Sequence, residues 1–484
     1  MQTSRLISAF ILIFSFNAML AQKVVITGNV SNTKAKTATC SYNEYVLYYK
    51  AARQSAAIDK KGKFKFELEL SGMKKIYLII DEQQTSFYVE PGDNIAIKIN
   101  YADFDKSIVF TGHNSEKNKL LKAYDDKFVF GHENDSYQQN INRKAGDFAA
   151  YCDSLLSEEL NFVSAFVPRP SAEFTGYFKA SLVYENANNK LRYPSFWAYA
   201  HHKGDTLPEL PNGYFSFIEE LPLNNEALLD NTAYYEYIKA AGRINQSYNI
   251  HPGAPVASLS SDALNAAKST AAVKAADLLQ ASESILKNDK VLQAYDASVI
   301  YNALRYEEFA ATEKLYTQYI KKNGKTQYTE ELTEEYNKVR KIAPGQMAPA
   351  FTLTDDKGRP CSLADYKGKV VYLDFWASWC GPCLRELPYS KKLKEEFDGK
   401  DIVFLYVSID EDAKSWKDAI AKKNISGVHV NAPDFDHPVA QSYNISGVPT
   451  YFLIGKDGKI ISNNPPRPSA EAAVRKEIGA ALQN

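Results

Sequence analysis

The chain has 484 residues, 45% hydrophobic and 24% charged, a composition that excludes a disordered or fibrous chain and is long enough for two or three separate cores. Its 57 basic and 58 acidic residues leave a formal net charge of -1, so no excess of positive charge recommends a nucleic-acid or polyanion partner. Aromatic residues, 13% of the chain, are numerous enough to fill several cores.

In chain order, Arg5, the apolar run Leu6 to Phe16 and the short segment ending at Ala21 read as a secretory signal peptide over residues 1–21. The run is shorter than the roughly 20 residues a spanning helix needs, and no later stretch qualifies, so no membrane span is expected after signal removal. The expected location is the periplasm or cell envelope. From residue 22 to 112 apolar residues alternate with polar ones, as in Phe64, Phe66, Leu68 and Leu70, and turn signals such as Glu90-Pro91-Gly92-Asp93 intervene. This pattern predicts an antiparallel, sandwich-like β domain.

Residues 113–343 change to helical spacing, as in Phe148, Tyr151, Leu155, Phe162 and Phe166. Breaks are expected at Pro168-Arg169-Pro170, Leu207 to Pro211 and His251 to Pro255. His201-His202 reads as structural, because adjacent histidines do not share a helix face and no other ligand type lies at metal spacing. No metal site is therefore expected. The charged helix Glu330 to Lys341 runs into Ala343-Pro344-Gly345, a linker to a last module over residues 344–484.

Of the five cysteines, Cys40, Cys152 and Cys361 are isolated and read as inert thiols, whereas Cys380 and Cys383 form a C-x-x-C pair. The β-run Val370 to Phe375 leads through Trp376-Ala377-Ser378-Trp379 into Cys380-Gly381-Pro382-Cys383 and a helix reaching about Phe397. A thiol at a helix start faces unpaired N–H groups and the positive end of the helix dipole, which favour the thiolate. Cys380 is therefore the expected attacker, and Cys383, one turn on, the resolving thiol. Strands are predicted at Ile402 to Ile409 and Thr450 to Ile454, then a hairpin at Asp457-Gly458 and a final helix from Ser469 to Leu482. Pro449, in Gly447-Val448-Pro449-Thr450, opens a strand where proline is otherwise disfavoured. A cis Val448–Pro449 bond would bring this loop against the cysteine pair and leave the Val448 backbone free for an extended substrate.

This order resembles a thioredoxin fold, and residues 346–484 resemble the TlpA/ResA group of thioredoxin-like proteins. The resemblance rests on Pro344 to Phe351, Tyr366-Lys367-Gly368-Lys369, Trp379 to Cys383, Glu386 with Pro388, and Gly447 to Thr450. It covers less than a third of the chain. The stretch 22–112, through its pattern and Pro91-Gly92-Asp93, resembles the uncharacterised β-rich domain that often precedes such modules. The implied architecture is multidomain: an N-terminal antiparallel β domain, an α-helical middle and a C-terminal α/β thioredoxin fold. The implied activity is thiol–disulfide exchange on envelope proteins, including cytochrome c maturation in some members, through a redox-active Cys380–Cys383 disulfide and no other cofactor. Asp374 matches the buried acid that thioredoxins carry before the redox helix, where many secreted relatives have asparagine; a raised pKa would let it exchange a proton with Cys383. Glu386 matches the acid of the ResA-like pattern, where it would tune the thiol pKa values or meet a substrate, or else lie on a solvated helix face, and Trp379 either forms part of the rim around the thiols or supports packing. Gly381-Pro382 resembles reducing thioredoxins, which implies a reductase fed by a membrane thiol carrier.

Two other readings compete. A thiol peroxidase needs a Pro-x-x-x-Thr/Ser-x-x-Cys setting, and Leu373 and Ala377 occupy those two places. An envelope binding protein could use the thioredoxin fold as a docking module, but keeping both cysteines, Pro449 and Asp374 argues for chemistry.

Overall fold

A computed structural model describes residues 21–45, 50–130, 142–201, 208–248 and 274–483. The expected signal peptide up to residue 20, His202 and the His251 to Pro255 break lie outside them. The chain divides into two compact units, Met1–Ser298 and Val299–Asn484.

In the first unit, strands β1 (Gln22–Ser31), β2 (Thr37–Tyr45), β3 (Lys50–Ala57), β4 (Lys63–Leu70), β5 (Lys74–Ile80), β6 (Gln83–Val89), β7 (Asn94–Asn100) and β8 (Val109–His113) form two four-stranded sheets. Their orders are β4-β1-β7-β8 and β3-β2-β5-β6. Strict alternation explains the sandwich: Phe64, Phe66, Leu68 and Leu70 are buried while the Lys and Glu residues between them are exposed. Ile26 and Ile97 from one sheet share a core with Cys40 and Leu78 from the other. Neighbouring strands run antiparallel except β1 and β7, which are parallel. Alternation fixes which face is buried but carries no record of which strand lies alongside.

The Pro91-Gly92-Asp93 turn has a structural role. Gly92 takes φ +85°, a conformation that favours glycine. Asp93 accepts from the Glu90 N–H at 2.8 Å and pairs with the buried Lys117 at 2.6 Å, which also meets Glu90 at 2.8 Å. A buried ammonium needs such partners. The helices Glu116–Tyr124, Ala145–Ala165, Ala172–Ala200, Thr232–Tyr248 and Ala275–Ile285 follow, and the break at Pro168 to Pro170 separates the second from the third. His201 donates through Nδ1 to the Trp197 carbonyl at 2.8 Å and stacks on the Trp197 ring, a structural arrangement.

The helix Asp289–Tyr306 carries the chain into the second unit, where Phe309–Asn323 and Gln327–Lys341 pair through stacked Tyr316 and Tyr336, ring centroids 4.1 Å apart. Strands β9 (Thr352–Asp355), β10 (Pro360–Ser362), β11 (Val370–Trp376), β12 (Ile402–Ser408), β13 (Val428–Asn431), β14 (Thr450–Ile454) and β15 (Ile460–Ser462) then form a sheet of order β10-β9-β13-β12-β11-β14-β15. β11, β12 and β13 run parallel, and β14 is antiparallel to β11. Every residue of β11 is buried, as expected of a central strand covered on both faces. Val371, Leu373 and Phe375 enter one core, and Val370, Tyr372 and Trp376 enter the other, together with Cys380 and Cys383. The chain is thus multidomain, with β sheets, a helical middle and a C-terminal α/β fold.

Candidate active site

Strand β11 ends at Trp376, and the helix Gly381–Glu396 begins five residues later, with Pro382 in its first turn, where its missing N–H costs nothing. Cys380 is the N-cap of this helix, and its Sγ accepts from the Cys383 N–H at 3.1 Å. The amide and dipole that would favour a thiolate are therefore already directed at this sulfur. The two cysteines are joined as a disulfide with Cα atoms 5.3 Å apart, and both are buried.

Val448–Pro449 is a cis bond, and the Val448 carbonyl oxygen lies 3.5 Å from Cys380 Sγ. Thr450 Oγ1 donates to the Gly447 carbonyl at 2.7 Å and closes the turn. The structure thus brings Cys380, Cys383, Val448 and Pro449 together. Trp379, next to Cys380 in the chain, is 63% exposed.

Asp374 lies on β11 between Tyr372 and Trp376, and by the strand's period of two it shares their face, the one whose core contains both cysteines. It is 5% exposed, and its Oδ1 has no hydrogen-bond partner. Burial pushes its carboxyl well above the usual range, and the Glu386 charge pushes it further. Glu386 itself accepts from the Ser469 N–H and Oγ–H, each at 2.9 Å. Its carboxylate thereby ties the redox helix to Ser469, two residues before the final helix Glu471–Gln483.

Sequence reasoning missed Asp410. This buried carboxylate accepts from the Ser378 N–H at 2.9 Å, from Ser378 Oγ at 2.6 Å and from Ser408 Oγ at 2.7 Å, and so pins the loop that delivers Cys380. The available signal was the Ser408-Ile409-Asp410 segment at the carboxyl end of a strand neighbouring β11, the edge where parallel sheets place their sites.

The isolated thiols sit elsewhere. Cys40 and Cys152 are buried, and desolvation pushes each up to about 12. Cys361 is buried with Sγ 3.2 Å from the Tyr366 hydroxyl. Replacing all three by serine or alanine is expected to leave the turnover of a protein disulfide within about threefold of wild type; loss of turnover in a variant of intact circular dichroism would implicate one of them.

Residues 343–481 match the Redoxin family, and residues 24–121 match a domain of unknown function (DUF4369). The thiol-disulfide oxidoreductase ResA of Bacillus cereus is 37% identical over 134 residues, which span 26% of this chain and 72% of the relative. ResA of Geobacillus kaustophilus is 36% identical over 137 residues, 28% of this chain and 75% of the relative. Among solved structures, the thioredoxin domain of a thiol-disulfide oxidoreductase from Bacteroides vulgatus is 33% identical, covering 29% of this chain and 99% of that one, with a TM-score of 0.27.

Proposed function

Because the chain belongs to the ResA-type thiol-disulfide oxidoreductases, we propose that its Cys380/Cys383 dithiol reduces disulfides in proteins of the cell envelope. A thiol carrier in the membrane would supply the electrons. The observation that carries this reading is the placement of Cys380 at a helix N-terminus, with the Cys383 N–H on its sulfur and the Val448 carbonyl beside it.

The Cys380 thiolate attacks one sulfur of the substrate disulfide, and the other leaves as a thiolate and takes up a proton. Cys383 loses its proton, attacks Cys380 Sγ and displaces the second substrate thiol, which leaves the Cys380–Cys383 disulfide. Two electrons pass to the substrate, and a two-electron reduction by the carrier's dithiol restores the enzyme. The cysteine pair is the redox group, and no other cofactor is called for. Asp374 is the proton acceptor for Cys383, and the Val448 backbone holds the substrate segment in extended form. Gly381-Pro382 between the cysteines supports the reducing direction. The apolar segment after Arg5 supports an extracytoplasmic location, and residues 22–112, 113–343 and 344–484 serve as the β, helical and redox domains.

The test is insulin reduction by the purified protein with dithiothreitol, together with capture by Cys383→Ala. Wild type should catalyse reduction, and the variant should hold substrate proteins on Cys380 through bonds that dithiothreitol cleaves. A wild type that does not reduce insulin, together with a variant that captures nothing, overturns the proposal in favour of a binding module.

A further inference from the structure

The loop that leads to the cis proline is held by residues upstream of the Redoxin match, which begins at residue 343. Arg305, near the end of the helix Asp289–Tyr306, forms a two-pronged ion pair with Glu335 of the helix Gln327–Lys341: Nε to Oε1 at 2.7 Å and Nη2 to Oε2 at 3.3 Å. The Glu335 side chain is 3% exposed, and the Tyr301 ring lies 4.7 Å from the guanidinium. Such a fork has one geometry, unlike the freely rotating ammonium of a lysine.

Both members of the pair reach the loop. Glu335 Oε1 accepts from Asn444 Nδ2 at 2.8 Å, and Arg305 Nη1 donates to Ser446 Oγ at 3.0 Å. These two contacts flank Ile445, which is buried in the sheet core, and Asn444 holds the left-handed φ of +52° that asparagine tolerates better than most residues. Ser446 lies two residues before Val448, whose carbonyl faces Cys380. A second tie joins the same helix end to the redox fold: Asn464 Nδ2 donates to the Tyr306 carbonyl at 2.8 Å.

We propose that the Arg305–Glu335 pair is a positioning device for substrate recognition: it fixes the Asn444–Val448 loop in the shape that receives a disulfide-bearing polypeptide, so that the helical segment of this unit sets how tightly protein disulfides bind. This rests on the exchange reading given above. A loop ordered in advance loses less conformational freedom when substrate arrives, so the device acts on binding, whereas bond exchange at Cys380 depends on the helix N-terminus.

Arg305→Ala alone would strand a buried carboxylate and risk unfolding. Three gentler variants avoid this. Ser446→Ala removes only the loop end of the contact, Arg305→Lys keeps the charge without the fork, and Arg305→Met with Glu335→Gln removes both charges together while leaving an acceptor for Asn444. With insulin as the disulfide, KM is expected to rise about 3-fold in Ser446→Ala and about 10-fold in the double variant, with Arg305→Lys between them and kcat within about twofold throughout. Iodoacetamide alkylation of reduced Cys380 should change by less than about twofold, which separates loop placement from thiol activation. Amide exchange at residues 444–448 should quicken in the same order. An active wild type whose variants keep its KM overturns this inference alone, and so does a fall in kcat and alkylation rate at constant KM. A wild type that exchanges no disulfide overturns the functional reading, and this inference with it.

Discussion

With asparagine at position 374, the resolving step is expected to slow about 10- to 100-fold at pH 7, while the first attack by Cys380 stays within about twofold. Before it can attack the mixed disulfide, Cys383 must lose a proton in a core that water does not readily enter. Asp374 faces that core from β11, with Tyr372 and Trp376 on the same strand face and the cross-strand partners Tyr406 and Tyr451 on either side. Burial, helped by the Glu386 charge, raises its carboxyl well above the ordinary value, which makes it a stronger proton acceptor than an exposed aspartate. Asparagine keeps the shape and removes the acceptor.

Raising the pH should restore much of the loss in Asp374→Asn, since hydroxide and a more ionised thiol replace the missing base. In an otherwise wild-type chain, Glu386→Gln removes a negative charge that helps hold Asp374 up, so the pH at which resolution becomes fast should move downward. Stopped-flow measurement of attack and resolution across pH separates the two steps. Resolution as fast as wild type at pH 7 in Asp374→Asn would make Asp374 a structural strand residue.

The parts of this site that were legible in the sequence are those encoded locally. Cys380-Gly381-Pro382-Cys383 is its own helix start, the apolar run Val370 to Phe375 announces a strand buried on both faces, and a proline opening β14 identifies the loop beside the sulfurs. In the first unit the alternation of Phe64 to Leu70 gives the buried face in the same way. Contacts between distant residues were not legible. Asp410 meets Ser378 across 32 positions, Glu386 meets Ser469 across 83, and Arg305 meets Ser446 across 141. Periodicity states that a side chain is buried or exposed; it does not state which polar group will satisfy it, because that pairing is fixed only when the sheet order brings the strand ends together. The parallel β1–β7 pairing was hidden for the same reason, and the family pattern that marks Glu386 does not say that Ser469 occupies its carboxylate.

Stability should respond to Asp374 with a definite sign in pH. Its carboxyl is held above the ordinary value of 3.8 in the folded protein and relaxes toward that value on unfolding. Between those two pH values the folded state keeps a proton that the unfolded state releases. The associated stability is fully present only below the unfolded value of 3.8 and is lost as pH rises toward the folded value, at about 1.4 kcal/mol per pH unit inside the window. Asparagine cannot titrate. Whatever fixed difference its amide makes, the stability of Asp374→Asn relative to wild type should therefore grow by about 1.4 kcal/mol per pH unit inside the window and level off above it. Other acids raised by burial, such as Asp125 at about 6, are common to both proteins and cancel in the comparison. Urea unfolding followed by tryptophan fluorescence reads the relevant unit, because Trp376, Trp379 and Trp416 lie in Val299–Asn484 and only Trp197 lies outside it. A difference between the two proteins that stays constant from pH 4 to 8 would mean that the Asp374 carboxyl ionises like an exposed acid, and the proton-acceptor role argued for it would lose its physical basis.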